Sequence, residues 1–339
     1  MTTDAEPLVS VLTPVYNGAE FLAECIESVQ RQTYQNWEYI ILNNASTDRT
    51  LEIAQSYAQA DPRVRVHSNA TLLDIISNHN AAFGLASPAS KYCKIVSADD
   101  WLFPGCLTRM VELAEAHPSV GLVGSYQMSG GGSDRNDWCV KWDRVAYPST
   151  VISGHEICRS QLLGGDYVFG TPTSLMYRSD LVRREPRFYP NSTAEADTSA
   201  CYNTLRDSDF GFVHEVLSYE RDQHVRTTTR SRSMNAYVLS KLSDLLTYGE
   251  IYLSAGQREQ RLMELWNEYY VFLARSAFEG RGPDFWAFHK RRLGEMGHQL
   301  DRLRLAKIIS KMAIRLALNP EIALRKIMGR NLSMETLPH

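Results

Sequence analysis

Apolar and polar positions alternate in blocks along the first hundred residues. Leu8-Val9-Ser10-Val11-Leu12 has the pattern of a strand and stops at Thr13-Pro14; Val15-Tyr16-Asn17-Gly18 then leads into a helix over about Ala19 to Gln32, with Leu22, Ile26 and Val29 on its buried face. Trp37 to Leu42 is a second strand, ending in Asn43-Asn44-Ala45-Ser46-Thr47-Asp48, and helical periodicity follows from Thr50 to Ala60. A short third strand at Val64-Arg65-Val66, a polar loop, a helix starting over Asn80 to Leu85 and a strand over Tyr92 to Val96 complete the segment. Strand and helix alternate, which predicts an α/β fold with a doubly wound, mainly parallel sheet.

Three of these strands end in polar clusters: Thr13 to Asn17, Asn43 to Asp48, and Ser97 to Asp100. In a parallel sheet such ends share one edge, so the clusters are expected to converge there. The third is the most pointed. Ile95 and Val96 suit a buried strand, but Asp99-Asp100 at its carboxyl end has no packing value and is costly unless solvated or bound to a cation. Hard oxygen donors without a Cys or His cluster suit Mg²⁺ or Mn²⁺ shared with a phosphate. The alternative is a solvated Asp-Asp turn capping a helix that starts near Pro104.

After Trp101 the pattern predicts a helix over Pro104 to His117, a strand at Val120 to Val123 and a Gly/Ser-rich loop over Met128 to Asp137. From about Ser231 it turns helical, with segments at Tyr237 to Leu253, Gln257 to Phe278, Phe285 to Leu300 and Leu303 to Leu318, where Trp266, Tyr269, Tyr270 and Phe272 read as packing residues. The division expected is residues 1–230 and a helical extension over 231–339.

Composition narrows the class. A chain of 339 residues with 44% hydrophobic and 22% charged residues can bury a large core, and a formal net charge of −3 excludes the basic excess of a dedicated nucleic-acid binder. The charge is uneven: residues 281–339 carry twelve Lys/Arg against five Asp/Glu. In the last helical segment Arg304, Lys307, Lys311 and Arg315 form a basic stripe beside Leu305, Ile308, Ile309, Met312 and Leu316, which fits either peripheral contact with an anionic membrane or a solvated face on a homo-oligomer or core helix. Six cysteines without CxxC spacing suggest neither zinc nor a disulfide framework. With no apolar leader and no run of about 18 apolar residues, a cytoplasmic location is expected, including the inner face of the membrane.

Val9 to Gly18, Ile40 to Thr50 and Tyr92 to Trp101 together resemble the nucleotide-binding half of the family-two inverting glycosyltransferases, which have the GT-A fold. That family shows a strand ending in P-x-Y-N, a second ending in D-D-G-S-x-D and a third ending in D-x-D; all three occur here in order within about 125 residues. The resemblance implies a metal-dependent, inverting transfer of a sugar from a nucleoside-diphosphate donor, UDP first, to a hydroxyl of a glycan or lipid-linked acceptor in surface polysaccharide or glycolipid synthesis.

It also implies roles. Tyr16 stacks on the base with Pro14 and Asn17 shaping the turn, Asn44 bonds the base edge, and Asp48 is either a ligand or a cap. Asp99 holds the metal, with Asp100 behind it or near the sugar. Ser97 stands where the first Asp of D-x-D is expected, and Asn43-Asn44 where the Asp pair is. Asp197 best matches the catalytic base, with Glu195 as runner-up and an N-cap as the competing role. Arg221 is expected to face phosphate, and His224 to be a further metal ligand or a surface histidine. Gly164 to Ser174 is either a sugar-contacting region or a connector. A nucleotidyltransferase fits the architecture, but Thr13 to Gly18 lacks its basic residue. A non-catalytic nucleotide-sugar or glycan-binding protein is the alternative from another class.

Overall fold

The structure, a computed structural model, describes residues 6–130, 138–190, 195–221, 234 and 236–318. It divides into two compact units, one reaching Thr229 and including Ile251–Leu253, the other formed by Arg230–Glu250 and the chain from Ser254 onwards.

The first unit is built on strands β1 (Val9–Val15), β2 (Trp37–Asn43), β3 (Val64–Ser68) and β4 (Tyr92–Ile95), parallel in the order β3-β2-β1-β4. Every residue of β1 is buried, and near-continuous apolar runs of this kind suit strands covered on both faces. Beyond β4 the sheet continues as β9 (Leu175–Arg178), β6 (Val120–Gly130), β10 (Asp209–Arg221) and β5 (Trp101–Leu102). β9 runs antiparallel between β4 and β6, whereas β6 and β10 pair in parallel. Two short strands, β7 (Cys139–Lys141) and β8 (Val151–Ile152), add to β6 and β10.

Helices α1 (Leu22–Gln30), α2 (Thr50–Ala60), α3 (Ile75–Gly84) and α4 (Cys106–Ala116) alternate with the strands. Leu22, Cys25, Ile26 and Val29 lie at helical spacing on the buried face of α1, as do Leu107, Met110, Val111 and Ala114 on α4. Each such aliphatic side chain contributes about 1.5–3 kcal/mol on burial. Three further helices, α5 (Gly154–Leu162), α6 (Ser179–Arg184) and α7 (Ala196–Leu205), complete the unit.

Element ends differ from the periodicity in places that have local causes. The first helix begins at Leu22 rather than Ala19, because Gly18 O accepts the Phe21 and Leu22 N–H groups in a preceding turn while Ala19 N–H is spent on Asp48. The third begins at Ile75 rather than Asn80, capped by Asp74, whose carboxylate accepts the Ser77 N–H. Trp101-Leu102 pairs antiparallel with Ser218-Tyr219, so the fourth helix starts only at Cys106. Met128 to Gly130 belongs to β6 rather than to a loop. Five cysteines are buried as free thiols and Cys139 is exposed.

The second unit contains α8 (Tyr237–Tyr252), most of which belongs to it, with α9 (Ala255–Phe278), α10 (Pro283–Glu295) and α11 (Arg302–Leu318). Its core joins Leu239, Tyr269, Tyr270, Leu273, Phe285, Leu293 and Leu305, with Trp266 and Phe272 packed against them. His289 is buried here between Tyr269 Oη (3.1 Å) and Met234 O (3.0 Å), and burial pushes its imidazole down to about 4. Among the described residues no helix is long and apolar enough to cross a membrane.

Candidate active site

The three polar strand ends meet. Asn17 takes a left-handed backbone (φ 50°), and its side-chain oxygen accepts the Thr47 N–H at 2.8 Å while its own N–H donates to Ser46 Oγ at 3.0 Å. Gly18 N–H donates to Thr50 Oγ1 at 2.8 Å. No side chain fits at Gly18: a Cβ there would lie 2.6 Å from Val15 Cγ2 and 3.4 Å from Ala98 Cβ, so the first turn lies directly against the third strand end. Thr13 Oγ1 donates to Val96 O at 2.8 Å from the same side.

Asp48 is woven into this junction. Its carboxylate accepts the Thr50 N–H (3.0 Å), the Thr50 hydroxyl and the Ala19 N–H (3.1 Å). Burial acts to raise its pKa, but these donors outweigh it and hold the carboxyl below the usual range. Of the two roles expected for Asp48, ligand or cap, these bonds have the geometry of a cap. Asn44 is also engaged: Oδ1 accepts from Leu73 N (2.9 Å) and Asn69 Nδ2 (2.8 Å), and Nδ2 donates to Leu73 O (2.9 Å). Its amide therefore fixes the wall formed by residues 69–73. Tyr16 is 48% exposed just beyond Val15, and Pro14 lies past the last β1 residue paired with β4, where its missing N–H costs no ladder bond on that side.

At the third strand end the two acidic residues diverge. Asp100 is buried; Oδ2 accepts the Thr173 hydroxyl at 2.7 Å and Oδ1 accepts the Arg221 N–H at 3.2 Å. Asp99 is partly exposed, and its carbonyl accepts from Arg221 Nε at 3.3 Å. The Arg221 guanidinium also pairs with Glu24 and lies 4.3 Å from the ring centroid of Phe21 and 5.2 Å from that of Trp101. Trp101 in turn stacks on Tyr219 at 3.6 Å. Ser97 N–H donates to Thr173 Oγ1 at 3.1 Å.

Among the described residues no three His, Cys, Asp or Glu side chains are grouped to hold a metal ion. The chemistry of the site still fits one: the partly exposed Asp99 can supply a single carboxylate oxygen, leaving the remaining positions to phosphate and water, the pattern preferred by Mg²⁺ and Mn²⁺. His224 lies outside the described residues.

Asp197 sits in the first turn of α7, whose N-cap is Glu195, and its Oδ1 accepts the Thr198 N–H at 2.8 Å. It is not the N-cap. A helix N-terminus would lower a carboxyl pKa, but burial dominates and, with the nearby Glu195 charge opposing the Thr198 hydrogen bond, pushes Asp197 up to about 6. Tyr177, Tyr189 and Cys201 form the buried surroundings and are each raised in turn, chiefly by burial and further by the Asp197 charge. Thr198 Oγ1 bonds Tyr167 Oη at 2.9 Å, and Tyr167 Oη donates to Gly170 O at 3.3 Å. Gly170 begins the turn that carries Thr173, so one connected segment reaches both Asp197's helix and Asp100. Thr173, Lys94 and Glu24 were not singled out by sequence; the available signal was a lysine inside the apolar run Tyr92 to Val96.

An uncharacterised glycosyltransferase of Haemophilus influenzae is 35% identical over 120 residues, which cover 35% of this chain and only 36% of that relative, so the match spans about a third of its length. A second uncharacterised glycosyltransferase, from Rickettsia prowazekii, is 27% identical over 284 residues, covering 80% of this chain and 81% of the relative. Among solved structures, residues 1–349 of S. aureus TarS in complex with UDP-GlcNAc superimpose with a TM-score of 0.62 at 15% identity, covering 86% of this chain and 80% of that one; the likeness is one of fold. The pattern of Glycosyl transferase family 2 matches residues 10–184, more than half of the chain. The protein is a family 2 glycosyltransferase with a GT-A fold and a helical C-terminal region.

Proposed function

We propose that the chain is an inverting, divalent-metal-dependent glycosyltransferase that moves a sugar from a UDP-type donor to a hydroxyl of a glycan or lipid-linked acceptor in surface polysaccharide or glycolipid synthesis. The observation that carries this reading is the meeting of three strand ends beside the Ser97–Asp100 loop, together with Asp197, a carboxyl of raised pKa whose neighbour Thr198 is bonded through Tyr167 to the turn that carries Thr173. The choice of UDP is supported by the sequence resemblance and by the TarS structures holding UDP and UDP-GlcNAc.

In this reading Tyr16 offers an exposed ring to the base, Asn17 and Asp48 shape the loop beside it, and Asn44 sets the pocket wall. Asp99 holds Mg²⁺ or Mn²⁺, which when bound supplies charge neutralisation for the diphosphate leaving group. The acceptor hydroxyl gives its proton to the Asp197 carboxylate while its oxygen forms a bond to the anomeric carbon. The bond from that carbon to the diphosphate oxygen breaks, its electron pair leaves on the nucleoside diphosphate, and the centre inverts. A base near pKa 6 is mostly ionised at neutral pH yet still basic enough to take the proton.

The tail supports a place for this activity. On α11 Leu305, Ile308, Ile309 and Met312 serve the core of their own unit, whereas Lys307, Lys311 and Arg315 share a face with the exposed Ile314 and Leu318. That face suits peripheral contact with anionic lipid at the cytoplasmic surface, close to a lipid-linked acceptor.

Donor hydrolysis tests the catalytic reading. Release of UDP from a panel of UDP-sugars with Mn²⁺ and its loss with EDTA is the expected result. Binding of a UDP-sugar without any metal-dependent turnover, with or without acceptor, would favour the non-catalytic binding protein.

A further inference from the structure

Lys94 is fully buried on β4, between Cys93 and Ile95 and opposite Met176 of β9. Burying an ammonium group is costly unless its donors are satisfied, and nothing in the packing of β4 calls for one. Its Nζ crosses to the turn that precedes β9, where it donates to Thr173 O and, at 3.0 Å, to Leu175 O.

That turn is itself rigid. Pro172–Ser174 forms one 3₁₀ turn, closed by Ser174 N–H on Thr171 O at 2.9 Å and braced by Thr171 N–H, which donates to Ser174 Oγ at 3.0 Å. Gly170 enters it at φ 85°, and a Cβ there would fall 2.1 Å from Ser174 Oγ. Thr173 is wholly buried, and its hydroxyl serves the loop after β4: it donates to Asp100 Oδ2 at 2.7 Å, accepts the Ser97 N–H at 3.1 Å and lies 3.2 Å from Ser97 Oγ. Lys94 therefore fixes the main chain of Thr173, and the side chain of Thr173 fixes Ser97 and Asp100 on either side of Asp99. The ladder between β4 and β9 ends at Lys94 and Met176, where the lysine takes over the bracing.

We propose that Lys94 and Thr173 form a buried strut that holds the Ser97–Asp100 segment in its donor-binding geometry, and that both are positioning residues for donor binding. The inference rests on the function proposed above.

The test uses the full-length chain as wild type, Thr173→Val, Thr173→Ser and Lys94→Met. Hydrogen–deuterium exchange without ligand is followed in peptides covering residues 95–101 and 171–176, and UDP is titrated calorimetrically with Mn²⁺. Losing the buried Thr173–Asp100 hydrogen bond predicts about 10- to 100-fold weaker UDP binding and faster exchange at 95–101 in Thr173→Val. Thr173→Ser, which keeps the hydroxyl, should stay within about threefold of wild type. Lys94→Met should speed exchange in both segments and weaken UDP binding, and adding Thr173→Val to it should do little more. If Lys94→Met fails to fold, the two Thr173 variants decide. Wild-type exchange at 95–101 in Thr173→Val, or equal weakening by Val and Ser, overturns the strut while leaving the glycosyltransferase reading in place. A wild-type chain that binds no UDP contradicts the donor assignment instead, and exchange at 95–101 then still reports on the strut.

Discussion

The main-chain N–H of Arg221 donates to Asp100 Oδ1 at 3.2 Å, so the last residue of β10 is fastened to the loop after β4 across the sheet. The Arg221 side chain, held by Glu24 and the Asp99 carbonyl near Phe21 and Trp101, thereby stands beside Asp99. A diphosphate arriving there can compete with Glu24 for the guanidinium. Arg221→Ala should weaken UDP binding about tenfold, and Arg221→Lys should recover only part of it, because a point ammonium cannot bond in a fork and stack at once. Calorimetry with UDP checks this; full recovery by lysine would contradict it.

As the proposed base, Asp197 would link activity to pH. The protonated carboxyl cannot accept the acceptor's proton, so kcat/KM should rise with pH through about 6 and then level off. Asp197→Asn should lower kcat by about 10²- to 10⁴-fold and abolish that rise.

The same residue affects stability with the opposite sign. Its folded pKa lies above the unfolded value of 3.8, so between the two the folded chain binds more protons and its contribution to stability falls as pH rises. At pH 7 the ionised group costs on the order of 1–3 kcal/mol, which Asp197→Asn should recover in part as a higher Tm. A variant that loses both activity and stability would assign Asp197 to the framework.

Asn44 is expected to behave differently. Removing its amide in Asn44→Ala leaves Leu73 N–H and Leu73 O without their partner and should cost about 1–3 kcal/mol of stability, read by urea denaturation. UDP binding should fall with it, because residues 69–73 lose their support. Loss of UDP binding at unchanged stability would instead show that Asn44 meets the base directly.

Much of this arrangement is legible in the sequence because it depends on local pattern. The runs at Val9–Leu12 and Trp37–Leu42 are long, apolar and stopped by polar clusters, so strand identity, order and the shared edge follow from periodicity and chain connectivity. What is not legible depends on distant partners. Trp101-Leu102 becomes a strand only because Ser218-Tyr219 arrives more than a hundred residues later. The buried role of Lys94 needs carbonyls from residues 173 and 175, and the raised pKa of Asp197 comes from burial that the polar string Glu195-Ala196-Asp197-Thr198 does not announce. Asn44 reads as a base-edge ligand, and its bonds to Leu73 and Asn69 need partners that arrive some distance further along the chain.

The basic face of α11 gives a prediction independent of the active site. Replacing Lys307, Lys311 and Arg315 with alanine should remove about 1 kcal/mol of attraction each to vesicles containing phosphatidylserine, about 100-fold in all, without changing UDP affinity. Co-sedimentation at low and high salt checks it. Wild-type binding equal on neutral and anionic vesicles would contradict the membrane assignment.

The donor site itself is tested most directly by calorimetric titration with UDP, GDP and dTDP, each with Mn²⁺ and with EDTA, on the wild-type chain and on Asp99→Ala. UDP should bind with Mn²⁺ more tightly than the other two nucleotides, and both EDTA and Asp99→Ala should abolish the metal-dependent part. Binding that is indifferent to Mn²⁺ and to Asp99, or no binding of any nucleotide, would contradict a metal-dependent donor site at the end of β4.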